Sequence, residues 1–175
     1  MLRSRFILMV TILILLVSLS CGGPDIGITD DEIRVGTWSP LTGPAKDVSV
    51  MSQAMGAYFK YVNDEGGIHG RKLKLSVKDD GYDPSRTPEV VKELIEGEKV
   101  FAILGGTGTA SCFSVKEYIQ TKMLPWINPG SAARVWTTPM HAYVFSTFPT
   151  YVSEGQILAR HVTENLEAKK FGIVY

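Results

Sequence analysis

The sequence predicts an α/β fold built on a parallel, doubly wound sheet. Stretches with strand-like alternation are followed by stretches whose apolar residues recur at three- and four-residue steps, as on one face of a helix. Val100–Leu104 is a continuous apolar run, which is typical of a strand covered on both faces. Strands that alternate with helices imply parallel pairing and right-handed crossovers.

The first half of the chain gives two strands and a helix between them. Ile33–Thr37 predicts a strand that ends in the turn-rich loop 39–44. A helix follows and ends at Gly66-Gly67, and we expect its apolar stripe to lie in the core: Met51, Ala54, Met55, Tyr58, Phe59 and Val62. Leu73–Val77 predicts a second strand with one wet face, closed by turn-forming aspartates at 79, 80 and 83.

The second half continues the same alternation. Pro88 begins a helix whose buried face is Val90, Val91, Leu94 and Ile95, and the run Val100–Leu104 is the expected sheet centre. The remaining predictions are a helix carrying Val115, Tyr118 and Ile119, a strand at 124–127, an extended piece at 143–148, a helix at 153–166 and a last strand at 171–175.

The N-terminus has the pattern of an export signal. Arg3 and Arg5 precede the stretch Phe6–Val17, which is apolar except for Thr11, and Ser18-Leu19-Ser20 supplies a small-x-small cleavage pattern. A permanent membrane anchor needs about 20 apolar residues, so residues 1–20 are expected to be a cleaved signal peptide, with an uncleaved anchor as the alternative.

Cys21 follows the predicted cleavage point and precedes Gly22-Gly23-Pro24. This order favours a lipid-modified cysteine on a tether spanning residues 21–32, and so a location in the periplasm or at the cell surface. The alternative is a soluble periplasmic or secreted protein in which Cys21 is only the new N-terminus. In either case, we expect contact with the membrane only through a lipid anchor or through the signal peptide.

The charge and the reactive side chains exclude several classes of function. Removal of residues 1–20 leaves 16 basic against 18 acidic side chains and no basic patch, so nucleic acid is not an expected partner. Cys112 lies in an apolar-faced segment and is expected to pack as a small hydrophobe rather than act as a nucleophile. The three histidines share no metal-ligand spacing, so neither a metal nor a cofactor is expected.

The glycine-rich turn at 105–109 joins the central strand to a helix and so predicts an anion site at the helix N-terminus. A P-loop requires a lysine and then a serine or threonine directly after its last glycine, and this pair does not follow Gly108. Ser111 stands where a dinucleotide fingerprint has its third glycine. A carboxylate held by Thr109 and by the N–H groups of Thr109 and Ala110 is therefore expected. The alternative is a turn that only needs flexible glycines.

Several stretches together resemble a known family. They are 62–73, with its Asn63 and Gly66-Gly67-Ile68, then Asp79-Asp80 with Asp83-Pro84, the loop 40–44, the run 100–105, Val115 with Tyr118, Pro125, and 147–155. In this order they resemble the Leu/Ile/Val type of periplasmic substrate-binding proteins of ABC transporters, with the type 1 fold. The resemblance covers about residues 33–175.

The resemblance implies two α/β lobes around a cleft that captures a small molecule without reacting with it. Residues 33–150 would be the first lobe, and 151–175 a crossover helix and the first strand of a second lobe that is largely missing from this chain. The expected ligand-binding residues, carried over by position, are Trp38, Ala45, Gly108, Thr109, Ala110, Ser131, Ala132 and Ala133. The loop residues Ser39, Gly43 and Pro44 are also expected to line the cleft, and the rings of Trp38 and Trp136 either form its walls or pack in the core or at the rim.

The implied function is the extracytoplasmic solute-binding component of an ABC importer for a branched-chain or related amino acid, or another small carboxylate. The implied partners are this ligand and a membrane permease. Ala132 and Ala133 replace the hydroxyl residues usual in the family, which removes expected contacts to an ammonium group and leaves another carboxylate, such as an aromatic acid, as the alternative ligand. The alternatives are a ligand-sensing domain for a receptor partner and an exported enzyme that uses Cys112.

Overall fold

The computed structural model describes residues 26–166 and 169–172, which form a five-stranded parallel sheet with helices on both faces. The strands are β1 (Glu32–Ser39), β2 (Lys72–Asp79), β3 (Ala102–Leu104), β4 (Trp126–Ile127) and β5 (Val144–Phe145). Their order across the sheet is β2-β1-β3-β4-β5, and every neighbouring pair is parallel. The predicted fold class is confirmed, and β3 is the central strand as expected.

In the described residues three helices connect these strands, and a fourth follows β5. A 3-10 turn (Lys46–Ser49) leads into α1 (Val50–Asp64); α2 (Thr87–Lys92) continues as a π-helical turn (Glu93–Gly97); α3 (Thr109–Thr121) follows β3. A 3-10 turn (Arg134–Trp136) lies between β4 and β5, and α4 (Tyr151–Arg160) continues as a π-helical turn (His161–Asn165). Pro88 lies in the first turn of α2, as predicted. Proline has no backbone N–H, and this costs nothing in the first turn, where N–H groups have no acceptor within the helix.

The core lies on one face of the sheet. Strand register places Ile103, Trp126 and Val144 in one row across three strands, and all three are buried. Helix α2, the π-helical turn that continues it, and α3 cover this row with the buried side chains Val91, Leu94, Val115 and Ile119. Three indoles pack within it: Trp38 and Trp126 are tilted, with ring centroids 5.6 Å apart, and Trp126 and Trp136 are edge to face, with ring centroids 5.2 Å apart.

The opposite face carries α1, and here the sequence prediction is wrong in part. Met55 reaches the sheet, since its methyl carbon lies 3.0 Å from the position that a Cβ on Gly105 would take. Tyr58 and Met51, predicted to be core, are 64% and 46% exposed. The three- and four-residue spacing correctly predicts the helix, but β2 and β1 alone give it too narrow a surface to bury the whole stripe.

The chain before β1 is folded, although the sequence predicts a tether there. Gly27 accepts a hydrogen bond from Arg34 N at 2.8 Å, and Thr29 N donates to Glu32 O at 2.9 Å, so residues 26–31 lie against the sheet. The signal peptide, Cys21 and most of the predicted strand 171–175 lie outside the described residues, and Phe171 and Gly172 are not in a strand. None of the helices described for residues 26–166 has the length and apolar character needed to span a membrane.

Candidate functional site

The candidate site lies at the carboxyl edge of the sheet, where β1 and β3 are neighbours. The chain leaves β1 toward β2 on one side and leaves β3 toward β4 on the other. The loops after β1 and β3 therefore diverge and open a crevice between them. Ligands of open α/β sheets bind in the crevice at such a switch point.

The glycine turn after β3 is shaped by the indole beneath it. A Cβ on Gly106 would lie 2.4 Å from the ring of Trp38, and φ at Gly106 is +85°, so only glycine fits. Trp38 Nε1 donates to Thr107 O at 3.2 Å and holds the turn in place. Trp38 is 0% exposed, so the prediction that it forms a wall of the cleft is wrong: it supports the turn from within the core. Trp136 is likewise buried, because it packs against Phe113 and Trp126.

The N-terminus of α3 points into this crevice without a side-chain cap. Gly108 is the N-cap with φ +99°, and its carbonyl accepts from Cys112 N at 2.8 Å. Within the described part of the chain, the N–H groups of Thr109 and Ala110 have no protein acceptor. Free N–H groups at a helix N-terminus carry partial positive charge and bind anions. The uncapped N–H groups therefore lie at the position where the sequence predicts an anion site.

Three hydroxyl groups converge at this N-terminus. Thr109 Oγ1 donates to Ser131 Oγ at 3.0 Å and lies 3.4 Å from the hydroxyl of Tyr151. Ser131 Oγ also accepts from Ala133 N at 3.2 Å, and Ala132 O accepts from Tyr151 N at 3.0 Å. Hydrogen bonding of the phenol oxygen with the Thr109 hydroxyl, then with the backbone of Ala132, lowers the pKa of Tyr151 below its usual value. The loop 131–133 and the turn 108–110 are thus brought together as expected.

The loop after β1 is fastened to the end of β2 by Asp79. The carboxylate accepts from Leu41 N at 2.8 Å, Thr42 N at 3.3 Å, Thr42 Oγ1 at 2.5 Å and Gly81 N at 2.9 Å. Burial alone would raise the pKa of Asp79, but these hydrogen bonds together lower it. Ala45, at the end of this loop, is half-buried and stays a predicted ligand contact. Ser39 is 1% exposed, and its Oγ has no partner among the described residues.

The sequence prediction missed Tyr82, which lies on the glycine turn. A Cβ on Gly108 would lie 3.1 Å from the ring of Tyr82, whose own φ is +61°. Asp80 is fully buried and holds this loop: it accepts from Tyr82 N at 3.1 Å, Thr87 Oγ1 at 2.9 Å and Ser111 Oγ at 3.1 Å. The aspartates predicted to form turns do so. Sequence spacing predicts such turns, but it does not predict which side chain of the turn contacts the neighbouring glycine turn.

A second missed feature is a hollow of about 240 Å³ beside the α3 N-terminus. Its lining includes Ser131 and Ala132 from the loop after β4, and Phe148, Tyr151 and Glu154 from the loop after β5 and the first turns of α4. One feature of the sequence indicates this position. Residues 148–154 follow shortly after β5, and the carboxyl ends of parallel strands meet at one edge of the sheet. Glu154 brings an acidic group to the site that the sequence prediction did not place there.

Cys112, the nucleophile in the alternative enzyme hypothesis, is not placed for catalysis. Cys112 is fully buried, and burial, which outweighs a hydrogen bond at Gly130, raises the pKa of its thiol to about 12. Such a thiol is not a nucleophile at neutral pH. Among residues 26–166 and 169–172, no group of three or more His, Cys, Asp or Glu side chains could hold a metal ion.

Comparison with known proteins agrees with this geometry. A family model described as periplasmic binding protein matches residues 32–175. The chain belongs to the periplasmic binding protein family. Periplasmic binding proteins bind substrates without transforming them, which agrees with the expectation that this chain is not an enzyme. The family also implies a periplasmic or other extracytoplasmic location.

Individual relatives show how far the similarity extends. The Leu/Ile/Val-binding protein homolog 3 of Brucella melitensis is 22% identical over 145 residues, which are 82% of this chain and 39% of that protein. The chain thus spans about two fifths of the length of these curated relatives. A fatty acid ABC transporter substrate-binding protein of Thermomonospora curvata has a TM-score of 0.74 and 27% identity over 85% of this chain and 37% of its own.

A third relative shares the fold. The branched-chain amino acid transporter substrate-binding protein of Streptococcus pneumoniae, solved in complex with isoleucine, has a TM-score of 0.71 and 19% identity. The match covers 79% of this chain and 40% of that structure. The five-stranded sheet therefore corresponds to the first lobe of the type 1 periplasmic binding protein fold, as the sequence predicts.

Proposed function

We propose that this chain supplies the first-lobe half of the binding cleft of a solute-binding protein that serves an ABC importer and captures an amino acid or another small carboxylate. The observation that carries the proposal is the uncapped N-terminus of α3 at the switch point, beside the hydroxyl groups of Thr109, Ser131 and Tyr151. Free N–H groups with nearby hydroxyls match the hydrogen-bonding needs of a carboxylate.

The named relatives support the same chemistry. The Brucella protein is named for leucine, isoleucine and valine, and the Thermomonospora protein for fatty acids, and all of these carry a carboxylate. The apolar parts of these compounds differ widely in length, whereas the carboxylate is common to all of them. The ligand group placed at α3 in this proposal is therefore the part that the relatives share.

The role of Thr109 gives a direct test. We expect Thr109→Val to weaken binding of a small carboxylate about threefold to tenfold, because one hydrogen bond to a charged group is lost while the volume is kept. Binding is measured by thermal shift and by titration with leucine, valine and benzoate. Thr121→Val, at the other end of the same helix, is the matched control and should bind as the wild type does.

Two outcomes would contradict the proposal. One is a protein that shows no response to any amino acid or small carboxylate. The other is equal loss of binding in both threonine variants, which would point to a general effect on α3 rather than to a contact with the ligand.

Location and partnership complete the proposal. Lipid attachment at Cys21 would hold the lobe at a membrane surface beside a permease, where captured ligand is handed over. We expect Cys21→Ser to move the protein from the membrane fraction to the soluble fraction and to abolish labelling by a fatty acid. Unchanged membrane association would argue against a lipid anchor at this residue.

A further inference from the structure

Helix α1 has two apolar faces, of which only one packs inside the lobe. The inner face lies on the sheet, where the Asn63 side chain donates to Leu73 O at 2.8 Å and accepts from Leu73 N at 2.7 Å. The buried Ser52 and the contact of Met55 with the turn after β3 belong to the same face. The opposite face carries six exposed apolar side chains, which we name the outer stripe: Val50, Met51, Ala54, Ala57, Tyr58 and Tyr61.

The outer stripe is wide enough to be a packing surface. At 3.6 residues per turn, its six positions form one continuous arc of about 120° around the helix. An apolar arc of this width normally faces a protein core. Here, however, Val50, Tyr58 and Tyr61 are 59%, 64% and 60% exposed. Single exposed apolar residues are ordinary, whereas a contiguous apolar patch indicates an interaction surface.

The spacing along the outer stripe is self-complementary. Its midline consists of Val50, Ala54, Ala57 and Tyr61, separated by steps of four, three and four residues, an order that is the same in both directions. In an antiparallel pair of α1 helices related by a two-fold axis, Ala54 of one copy therefore faces Ala57 of the other, and Val50 faces Tyr61. The small alanines let the two helices approach closely at the centre, and the larger side chains pack at both ends.

The charges on α1 favour a second copy over a membrane surface. The outer stripe contains no charged side chain, so two copies meet without repulsion, and antiparallel helices align their dipoles favourably. The exposed polar positions beside the stripe are Gln53, Lys60 and Asp64, and Lys60 forms an ion pair with Asp64 at 2.6 Å. Helices that lie on membranes usually carry a polar face rich in lysine and arginine, which α1 lacks.

We propose that the outer stripe of α1 is a dimerisation surface, on which α1 of a second copy of this chain packs antiparallel. A contact between two 15-residue helices is small beside the interfaces of stable complexes, which bury about 1,200–2,000 Å². We therefore expect a weak dimer, with a dissociation constant of about 10–100 μM. The proposal does not depend on what the cleft binds, so it can fail while the proposed function stands.

The test uses the protein without residues 1–20, the predicted signal peptide, because their apolar run would associate by itself. In sedimentation equilibrium from about 5 to 500 μM, the wild type should change from monomer to dimer. Ala54→Glu should weaken the dimer at least about tenfold, because its carboxylate would be desolvated against Ala57 of the other copy.

Ala159→Glu is the matched control, since it makes the same change at an exposed position of α4. It should dimerise as the wild type does. Far-UV circular dichroism of the two variants should match that of the wild type, because both alanines are exposed.

Mixed variants test the direction of pairing. Ala54→Glu mixed with Ala57→Lys should dimerise more tightly than Ala54→Glu mixed with Ala54→Lys, because only antiparallel helices place position 54 opposite position 57. An equal or reversed order would overturn the proposal. So would a wild type that stays monomeric over the whole range, including one that binds phosphatidylcholine vesicles instead, or a folded Ala54→Glu that dimerises as the wild type does.

Discussion

At β3, β4 and β5, the two faces of the five-stranded sheet are formed by consecutive residues of the same strands but are covered very differently. On one face, the row Ile103, Trp126 and Val144 is buried under α2 and α3. On the other, the next row along the strands is Leu104, Ile127 and Phe145, of which Ile127 is 40% and Phe145 54% exposed. Consecutive residues of one strand therefore contribute very unequally to stability, although both are apolar.

This difference shows what an apolar strand pattern does and does not predict. A parallel strand with apolar residues on both sides is typical of a sheet with two covered faces. In the described residues, α1 covers β1 and β2 on the second face and leaves the β3–β5 row open. Apolar side chains that are not covered remain in contact with water and add little to the free energy of unfolding.

The largest expected effect separates two consecutive residues of β4. Trp126→Ala should lower the free energy of unfolding by about 3–5 kcal/mol, because it empties the centre of the indole cluster. It also removes the hydrogen bond from Nε1 to Gly105 O, which measures 2.8 Å. Ile127→Ala should cost less than about 1 kcal/mol, because its side chain is partly solvated. Urea unfolding of both variants measures the difference, and equal losses would show that the second face is covered in solution.

An intermediate effect is expected at the two glycines that follow β3. Both have positive φ, so alanine at either position costs about 1 kcal/mol or more in backbone strain. A Cβ on Gly106 would meet the rigid indole of Trp38 at 2.4 Å, whereas one on Gly105 would meet the flexible end of Met55 at 3.0 Å. Gly106→Ala should therefore destabilise the protein more than Gly105→Ala does in thermal unfolding. The reverse order would mean that the α1 face is the tighter one.

The smallest effect is expected at the exposed edge of the sheet, at Asp79. Its pKa is lowered in the folded protein, so the ionised form stabilises the fold above the unfolded-state pKa, near 3.8, and this stability is lost as the pH falls through the folded-state pKa. Asp79→Asn should cost about 1 kcal/mol at pH 7 and make acid unfolding less steep below about pH 4. An unchanged acid slope would show that Asp79 is not ionised in its hydrogen-bonded loop.

The candidate site was predicted in part. The turn 108–110 and the loop 131–133 were placed at one edge correctly, because strands that alternate with helices fix which ends meet. Trp38 was misplaced, because alternation along β1 does not say whether a side chain near the strand's end points to a cleft or to a neighbouring indole. Tyr82, Tyr151 and Glu154 were missed, because their roles come from contacts with residues far away in sequence.

The sequence by itself determined the order of strands and helices and the parallel sheet, and it predicted an export signal and an anion site at the glycine turn, since each depends on periodicity or on residues close together in the chain. Only the tertiary structure decided which face of the sheet is covered and which side chains surround the N-terminus of α3. Those outcomes depend on packing between elements that are distant in sequence, where register and the direction of each side chain set burial.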